Sequence, residues 1–308
     1  MNKPYLWVEQ YAPATVAECI LPDAIRAAFG TYAVDKEFPN LILAGPAGVG
    51  KTSVAKALCH EIDADLLFVN ASLDRGIGEV RTTVAQFASC SSLTGGKKVV
   101  LLDEADNLTQ DSQKALRALI EEFQGHCRFI LTCNYPHNII EAIHSRCTVF
   151  DFHIRDAKLK EKLVAKFCMR CVEILREHEV KCEPKLLHKF VTFLAPDWRG
   201  VLNTLQGKST DGVITESVLE ETPDQVISAL KAKKWEEVRE WVFAHAYVHP
   251  RQIERQFWDA LIDRVDNQSK PLITLIFAEY SAQIGYGADP CITLLAMLTR
   301  IMMEANFK

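Results

Sequence analysis

The 308-residue sequence has no uninterrupted apolar run of the roughly 20 residues that a membrane helix needs, because charge breaks its most apolar stretches first. Its leading MNKPYLWVEQYAP lacks both a continuous apolar segment and a small-residue cleavage site. It is therefore not a secretory signal, and the chain is expected to be soluble and intracellular, with no membrane partner. Positive charge is not in excess: 35 Lys and Arg stand against 40 Asp and Glu, a net charge of −5. A protein that bound nucleic acid through its whole surface field would be basic, so any such contact must come from a local stripe inside an assembly. No second Cys-x-x-Cys completes the zinc-like spacing of Cys168 and Cys171, although His178 and Cys182 follow nearby. Cys171 falls in step with Phe167, Ile174 and Leu175 on a helical face. The ten cysteines therefore read as reduced core thiols, with structural zinc as the lesser alternative and no disulfide frame. Nor is there an internal repeat, which argues against a solenoid.

What is present is ordinary globular composition, 48% hydrophobic and 24% charged, in a chain long enough for two or three domains. Between residues 38 and 153, short apolar runs alternate with amphipathic stretches. Leu41–Ala44, Leu66–Val69, Val99–Leu102 and Phe129–Thr132 look like buried parallel strands, with a further one expected at Val149–Phe152. Helical patterns at Ser53–Ile62, Gly78–Ala88 and Ser112–Phe123 lie between them, so a doubly wound α/β sheet is expected. Past residue 155 the pattern is helical: Asp156–His178, Glu183–Leu194 and Arg199–Gly207, with no strand-like run. From about residue 223 come Pro223–Lys231, Trp235–Ala244, Pro250–Val265, Pro271–Ile284 and Asp289–Ala305, with proline and glycine marking most junctions. Three domains are expected: α/β at 1–154, a small helical domain at 155–221 and a terminal helical domain at 222–308.

The first domain carries a phosphate loop. Gly45-Pro-Ala-Gly-Val-Gly-Lys-Thr52 satisfies G-x-x-x-x-G-K-[ST] between an apolar strand and a helical pattern. Gly48 and Gly50 let successive N–H groups turn inward on phosphate oxygens, and the helix start adds its positive end. Lys51 is the cation for the β and γ phosphates, and the Thr52 hydroxyl a ligand for Mg²⁺. The neighbouring Gly45, Val49 and Ser53 join the expected ATP contacts. A second motif, Val99-Val-Leu-Leu-Asp-Glu-Ala-Asp106, ends a buried strand on carboxylates. That is the sheet edge where open α/β folds bind ligands. Asp103 is expected to hold Mg²⁺ through water, and Glu104 to act as general base on the attacking water. Asn134, at the end of the next apolar run, is placed to bond the γ-phosphate or that water. ATP hydrolysis with Mg²⁺ is the activity these motifs point to.

The segment Cys133-Asn-Tyr-Pro-His-Asn-Ile-Ile-Glu-Ala-Ile-His-Ser-Arg-Cys147 resembles the corresponding stretch of sliding-clamp-loader ATPases, namely the replication factor C small subunits and their T-even-phage counterparts. Trp7-Val-Glu-Gln-Tyr-Ala-Pro13 is similar to the family's W-V-E-K-Y-R-P, with Ala12 where the family has arginine. Asp103–Thr109 with Gln113 and Ala115-Leu-Arg117, and Pro196–Gln206, resemble two further family motifs. Glu18–Pro22 and Lys56–His60 look more like the phage branch, and past residue 223 the likeness rests on helical pattern and length. The resemblance implies an AAA+ α/β domain, a helical lid and an all-helical collar. It also implies an assembly of several copies with a different subunit, acting on a ring-shaped clamp and primer-template DNA in the cytoplasm or nucleoid of a host cell, whether cellular or phage-encoded.

It assigns roles residue by residue. Arg146 would be an arginine finger reaching a neighbour's ATP, a task suited to a planar, charge-spreading fork. Arg199 would bind the γ-phosphate from the lid. Val8, Glu9, Gln10, Tyr11 and Ile20 would flank the adenine. Arg75, Ile77 and Arg81 would open a DNA-tracking helix, with Arg75 also restraining Glu104 until DNA arrives. Competing readings are weaker. A DNA or RNA helicase, suggested by the literal Asp103-Glu-Ala-Asp106, needs a second α/β motor for which residues 155–308 have no room. Another AAA+ machine such as a helicase loader or initiator, or a scaffold subunit that never hydrolyses, remains as the alternative.

Overall fold

A computed structural model describes residues 4–72, 77–90, 96–209, 212–215, 223–244, 257–258, 260–262, 264–285 and 288–308. The chain forms two compact units, Met1–Ile214 and Thr215–Lys308. The first is built on five strands, β1 (Leu41–Ala44), β2 (Asp65–Asn70), β3 (Lys98–Asp103), β4 (Cys127–Cys133) and β5 (Thr148–Asp151). All pair in parallel, in the order β2-β3-β4-β1-β5. Strands β1, β3 and β4 are buried almost end to end, the pattern forced on strands covered on both faces. Side chains alternate between two cores. Leu41, Leu43, Val99, Leu101 and Ile130 join one with Phe29, Val54 and Leu58, while Ile42, Ala44, Val100, Leu102, Phe129 and Leu131 join the other with Leu116 and Ile120.

The helices of these layers are α2 (Asp23–Asp35) and α3 (Lys51–Glu61) on the first face, and α4 (Ile77–Ser89) and α5 (Gln110–Phe123) on the second. The sequence pattern located α3, α4 and α5 to within two residues at each end, but placed no helix at α2 or at the four-residue α1 (Trp7–Gln10). The signal at α2 was there: Ile25, Phe29 and Ala33, four residues apart, are its buried face. Lys98 opens β3 as a buried lysine whose ammonium donates to the carbonyls of Phe87 and Cys90 at the end of α4. That contact ties α4 to the strand that ends on Asp103.

After α6 (Glu141–His144) and β5 come three helices, α7 (Ala157–Glu177), α8 (Pro184–Leu194) and α9 (Trp198–Lys208). Asp156 caps α7 through the Lys158 N–H at 3.0 Å, and Asp197 caps α9 through the Gly200 N–H at 2.9 Å. Cys171 is fully buried beside Phe167, Ile174 and Leu175 on one face of α7. The expectation of no strand past residue 155 needs correction. Lys181–Cys182 and Val213–Ile214 pair in parallel as β6 and β7, each only two residues long and so too short to leave an alternating pattern.

In the second unit the helices Pro223–Lys231, Trp235–Ala244, Ser269–Gly285 and Pro290–Glu304 surround Leu230, Val238, Phe257 and Met297. Ile273, Ile276 and Phe277 are buried in this core and Tyr280 packs against it, so that apolar face is used within the domain. The expected helix at Pro250–Val265 lies largely outside the described residues. Among the described residues no helix is long and apolar enough to cross a membrane.

Phe29 is fully enclosed and meets Tyr32 and Phe150 edge-on at 5.9 and 5.3 Å. Phe29→Ala should cost about 3–5 kcal/mol in the unfolding of the first unit, measured by urea titration. A loss below about 1 kcal/mol would contradict this packing.

Candidate functional site

Strand register brings the expected site together. Ala44 pairs with Cys133, so the chain leaves β1 and β4 side by side, and the Gly45 N–H donates to the Cys133 carbonyl at 3.1 Å. The loop then turns through Gly48 (φ 76°) and Gly50 (φ 95°), conformations that side-chain-bearing residues rarely adopt. Gly48 has a second reason to be glycine: a Cβ there would fall 1.7 Å from Asp197 Oδ1 and 3.1 Å from the Asp197 Cα. The Trp198 N–H donates to the Gly48 carbonyl at 3.1 Å, so the start of α9 rests on the loop. Helix α3 begins at Lys51 with its free N–H end at the loop, a ready anion site.

Lys51 is buried, and its ammonium donates to the carbonyls of Gly45 and Pro46, both at 2.7 Å, and to Asn134 Oδ1 at 3.0 Å. Burial pulls its pKa down to about 8, against the opposing pull of Asp103 and Asp106. Asn134 is itself held in place: Asp106 Oδ2 accepts the N–H groups of Asn134 and Tyr135 at 3.1 and 2.9 Å. Asp103 Oδ1 accepts the Thr52 hydroxyl at 2.5 Å and the Thr132 hydroxyl at 2.7 Å. Thr132 also accepts the Glu104 N–H at 3.0 Å, making it the tie between β3 and β4. Sequence reading overlooked Thr132, although a hydroxyl at the carboxyl end of an apolar strand was the clue. Glu104 occupies the left-handed region (φ 56°), and its Oε2 accepts the Ser72 hydroxyl and, at 3.3 Å, the Asn107 amide. The other candidate restraint on Glu104, Arg75, lies outside the described residues.

A cleft of about 190 Å³ opens above this cluster. Of the expected residues it is lined by Val8, Tyr11, Ile20, Gly48, Val49, Gly50, Lys51, Thr52, Ser53, Asp103, Glu104, Asn134 and Arg199. Glu9 and Gln10 do not line it, because α1 turns Val8 and Tyr11 to one side, three residues apart, and leaves Glu9 exposed on another. Gly45 lies beneath the loop, where a Cβ would press on that of Phe152 at 2.8 Å. The helical segment adds lining residues that sequence reading did not name: Phe167, Arg170 and Ile174 of α7, and Trp198 and Leu202 of α9. Phe167 and Trp198 stack at 4.6 Å.

The leading segment is fastened to these helices. The Trp7 N–H donates to Gln206 Oε1 at 2.9 Å, and Gln206 Nε2 returns a bond to the Tyr5 carbonyl at 2.7 Å. Trp7 stacks on His178 at 4.5 Å, and His178 Nε2 meets the Tyr11 hydroxyl at 2.8 Å. His178, weighed above with the cysteines, is thus engaged with two aromatic rings. Burial, with Glu177 nearby, pushes the Tyr11 phenol up to about 12.

Arg146 does not line this cleft. Its guanidinium donates to the Ala142 carbonyl at 2.6 Å and the Ser145 hydroxyl at 3.0 Å, and pairs with Glu121 of α5. Ile77 and Arg81 fall in the first turns of α4, with their side chains outside the described residues.

Comparisons with known proteins agree on the family. The family described as "ATPase family associated with various cellular activities (AAA)" matches residues 41–155. A replication factor C small subunit of Sulfurisphaera tokodaii is 32% identical over 98% of this chain and 96% of its own. The sliding-clamp-loader large subunit of Escherichia phage RB69 is 34% identical over 100% of this chain and 98% of its own. The equivalent subunit of Enterobacteria phage T4 is 30% identical, again covering 100% and 98%. Among solved structures, the Thermotoga maritima RuvB Holliday junction branch migration motor shares the fold. It has a TM-score of 0.53 at 16% identity, covering 70% of this chain and 72% of that one.

Because Lys51 holds its proton below about pH 8 and gives it up above, affinity for a triphosphate should be highest on the acid side. Between pH 7.5 and 9 calorimetric affinity for ATP should fall about tenfold, following the protonated fraction. Lys51→Arg, charged throughout, should bind more weakly overall but without that decline. A flat profile in the unaltered protein would show that Lys51 does not titrate there.

Proposed function

The chain belongs to the sliding-clamp-loader family of AAA ATPases, and from that premise we propose that it hydrolyses ATP in the cleft at the ends of β1, β3 and β4, with Mg²⁺ and in response to DNA and a clamp. It is an ATP-binding motor subunit of a DNA sliding-clamp loader in DNA replication. One observation carries the proposal for the site. Lys51, Thr52, Asp103, Glu104, Thr132 and Asn134, drawn from two strand ends and one helix start, form two hydrogen-bonded groups, Lys51 with Asn134 and Thr52 with Asp103, Thr132 and Glu104, that together line a single cleft.

The Thr52 hydroxyl and the Asp103 carboxylate, already in contact at 2.5 Å, are the hard oxygen donors that suit Mg²⁺. They would hold the ion, which neutralises charge building on the phosphates. Lys51 would exchange Asn134 and the loop carbonyls for β and γ phosphate oxygens. Glu104 would polarise the attacking water once it leaves Ser72 and Asn107, and Asn134 would orient that water or the γ-phosphate. Arg199, lining the same cleft, would draw the helical segment onto the γ-phosphate. Val8, Tyr11 and Ile20 would flank the adenine.

Arg146, whose own subunit already satisfies part of its fork, would reach the ATP of a neighbouring subunit. Residues 1–154 would then be the motor domain, 155–221 the lid and 222–308 the collar that holds subunits together. The assembly would contain several copies of this chain with a different subunit, open a ring-shaped clamp and set it on primer-template DNA inside a host cell. DNA would be tracked through Arg75, Ile77 and Arg81. A net charge of −5 is compatible with that, since short basic stripes from several subunits sum into one channel.

Lys51→Ala should abolish ATP binding and turnover; a variant that still turns over at the normal rate would sink the assignment. In the assembled loader Arg146→Ala should bind ATP nearly as well as the unaltered protein but lose 10³-fold or more of DNA- and clamp-stimulated hydrolysis, the order of magnitude expected of an arginine finger, about 10³ to 10⁵. Equal stimulated rates would rule out a finger at this position. Reversing the charge at Arg75 and Arg81 together should weaken DNA stimulation and flatten its salt dependence. Unchanged DNA stimulation would exclude α4 as the tracking helix.

A further inference from the structure

The lining of the cleft is chemically mixed: Lys51, Thr52 and Asp103 are polar, whereas Val8, Ile20, Ile174 and Leu202 are apolar. Three cations line the whole: Lys51, Arg199 and Arg170. Lys51 is accounted for by the phosphate loop, and Arg199 follows Trp198, whose N–H sits on the Gly48 carbonyl of that loop. Arg170 has no such tie to the loop.

Arg170 stands on α7 between Phe167 and Ile174, and all three line the cleft, as residues spaced three and four apart on one helical face can. Its guanidinium lies 5.7 Å from the centre of the Tyr11 ring, which lines the cleft from the leading segment. Ala12 and Pro13 continue that side and bring no charge of their own. Among the described residues Arg170 pairs with Glu173 at 3.2 Å, on the next turn of the same helix and largely exposed, while Glu177 faces the same Tyr11 side chain. A guanidinium carries five N–H donors, so this contact leaves several unused.

Resting on the reading that this cleft takes ATP, we infer that Arg170 is a nucleotide-binding residue that grips the purine nucleoside, donating to the base's acceptor nitrogens or a ribose oxygen beside the Tyr11 ring. The chemistry fits a flat, donor-only cation at the edge of an apolar slot. A purine offers ring-nitrogen acceptors and a π face that stacks on guanidinium and tyrosine alike. The part gripped is common to ATP and ADP. Arg170 therefore adds affinity without sensing the γ-phosphate, in contrast to Arg199. It also makes α7 a base-holding element, so that the helical segment meets the nucleotide at both ends.

Calorimetry with three probes, ADP, a non-hydrolysable ATP analogue and inorganic tripolyphosphate, tests this. Arg170→Met, which keeps the apolar stem, should weaken ADP and the ATP analogue by the same factor, about tenfold for one charge-assisted contact, and leave tripolyphosphate unchanged. Arg170→Lys should fall between the two. The melting temperature of the nucleotide-free protein should stay the same, which separates a lost contact from a loosened fold. ADP binding at the normal affinity in Arg170→Met, or an equal loss for tripolyphosphate, would overturn the inference. Failure of the unaltered protein to bind either nucleotide would instead overturn the reading of the cleft.

Discussion

A buried positive charge that no carboxylate contacts among the described residues is the constraint around which this site is arranged. Removing an ammonium from water costs on the order of several kcal/mol, and Lys51 recovers part of that from two loop carbonyls and one side-chain amide. Those acceptors are neutral, and Asp103 and Asp106 pull on the charge only from beyond contact distance, so it stays available to an anion. To keep it so, the nearby acids must be occupied elsewhere. Asp103 Oδ1 is engaged by two hydroxyls and Asp106 Oδ2 by two backbone N–H groups, and neither carboxylate forms an ion pair with the lysine. The depressed pKa of Lys51 is the thermodynamic trace of this arrangement.

Parallel register then determines which groups meet. With Ala44 opposite Cys133, and Leu102 opposite Leu131, the phosphate loop, the Asp103–Glu104 pair and Asn134 emerge at one edge. The Thr132 hydroxyl bridges two of these strand ends, serving Asp103 as donor and the Glu104 N–H as acceptor. Glu104 itself is displaced into a left-handed backbone conformation that any side chain other than glycine adopts at a cost. Its carboxylate is then held by Ser72 and Asn107. The Glu104 side chain is thus positioned by backbone strain and restrained by hydrogen bonds.

The sheet was legible because its central strands are buried on both faces, which leaves short unbroken apolar runs that few other elements produce. The phosphate loop and carboxylate pair were legible because their chemistry is local in sequence. What escaped is set by contacts between distant segments. Phe167, Arg170 and Ile174 looked like ordinary faces of a charged helix, and only the fold carries them to a cleft whose floor is built from residues between Lys51 and Asn134. The pairing of Arg146 with Glu121, and of Trp7 and Tyr11 with His178, depends in the same way on tertiary proximity. Helix α2 left a pattern that alanine-rich neighbours diluted. The apolar residues near 273–280 illustrate the converse: a broad apolar face says that burial occurs, not against what.

The contact between Gly48 and Asp197 has a mechanical meaning. No space for even a methyl group separates them, and the Trp198 N–H is fastened to the same glycine. The loop and the first turn of α9 therefore behave as one rigid link. Any adjustment of the loop around an incoming anion is transmitted as displacement of a helix, without a hinge to absorb it. The smallest residue in the protein here acts as a coupling pin, converting the occupancy of a chemical site into the position of a structural element.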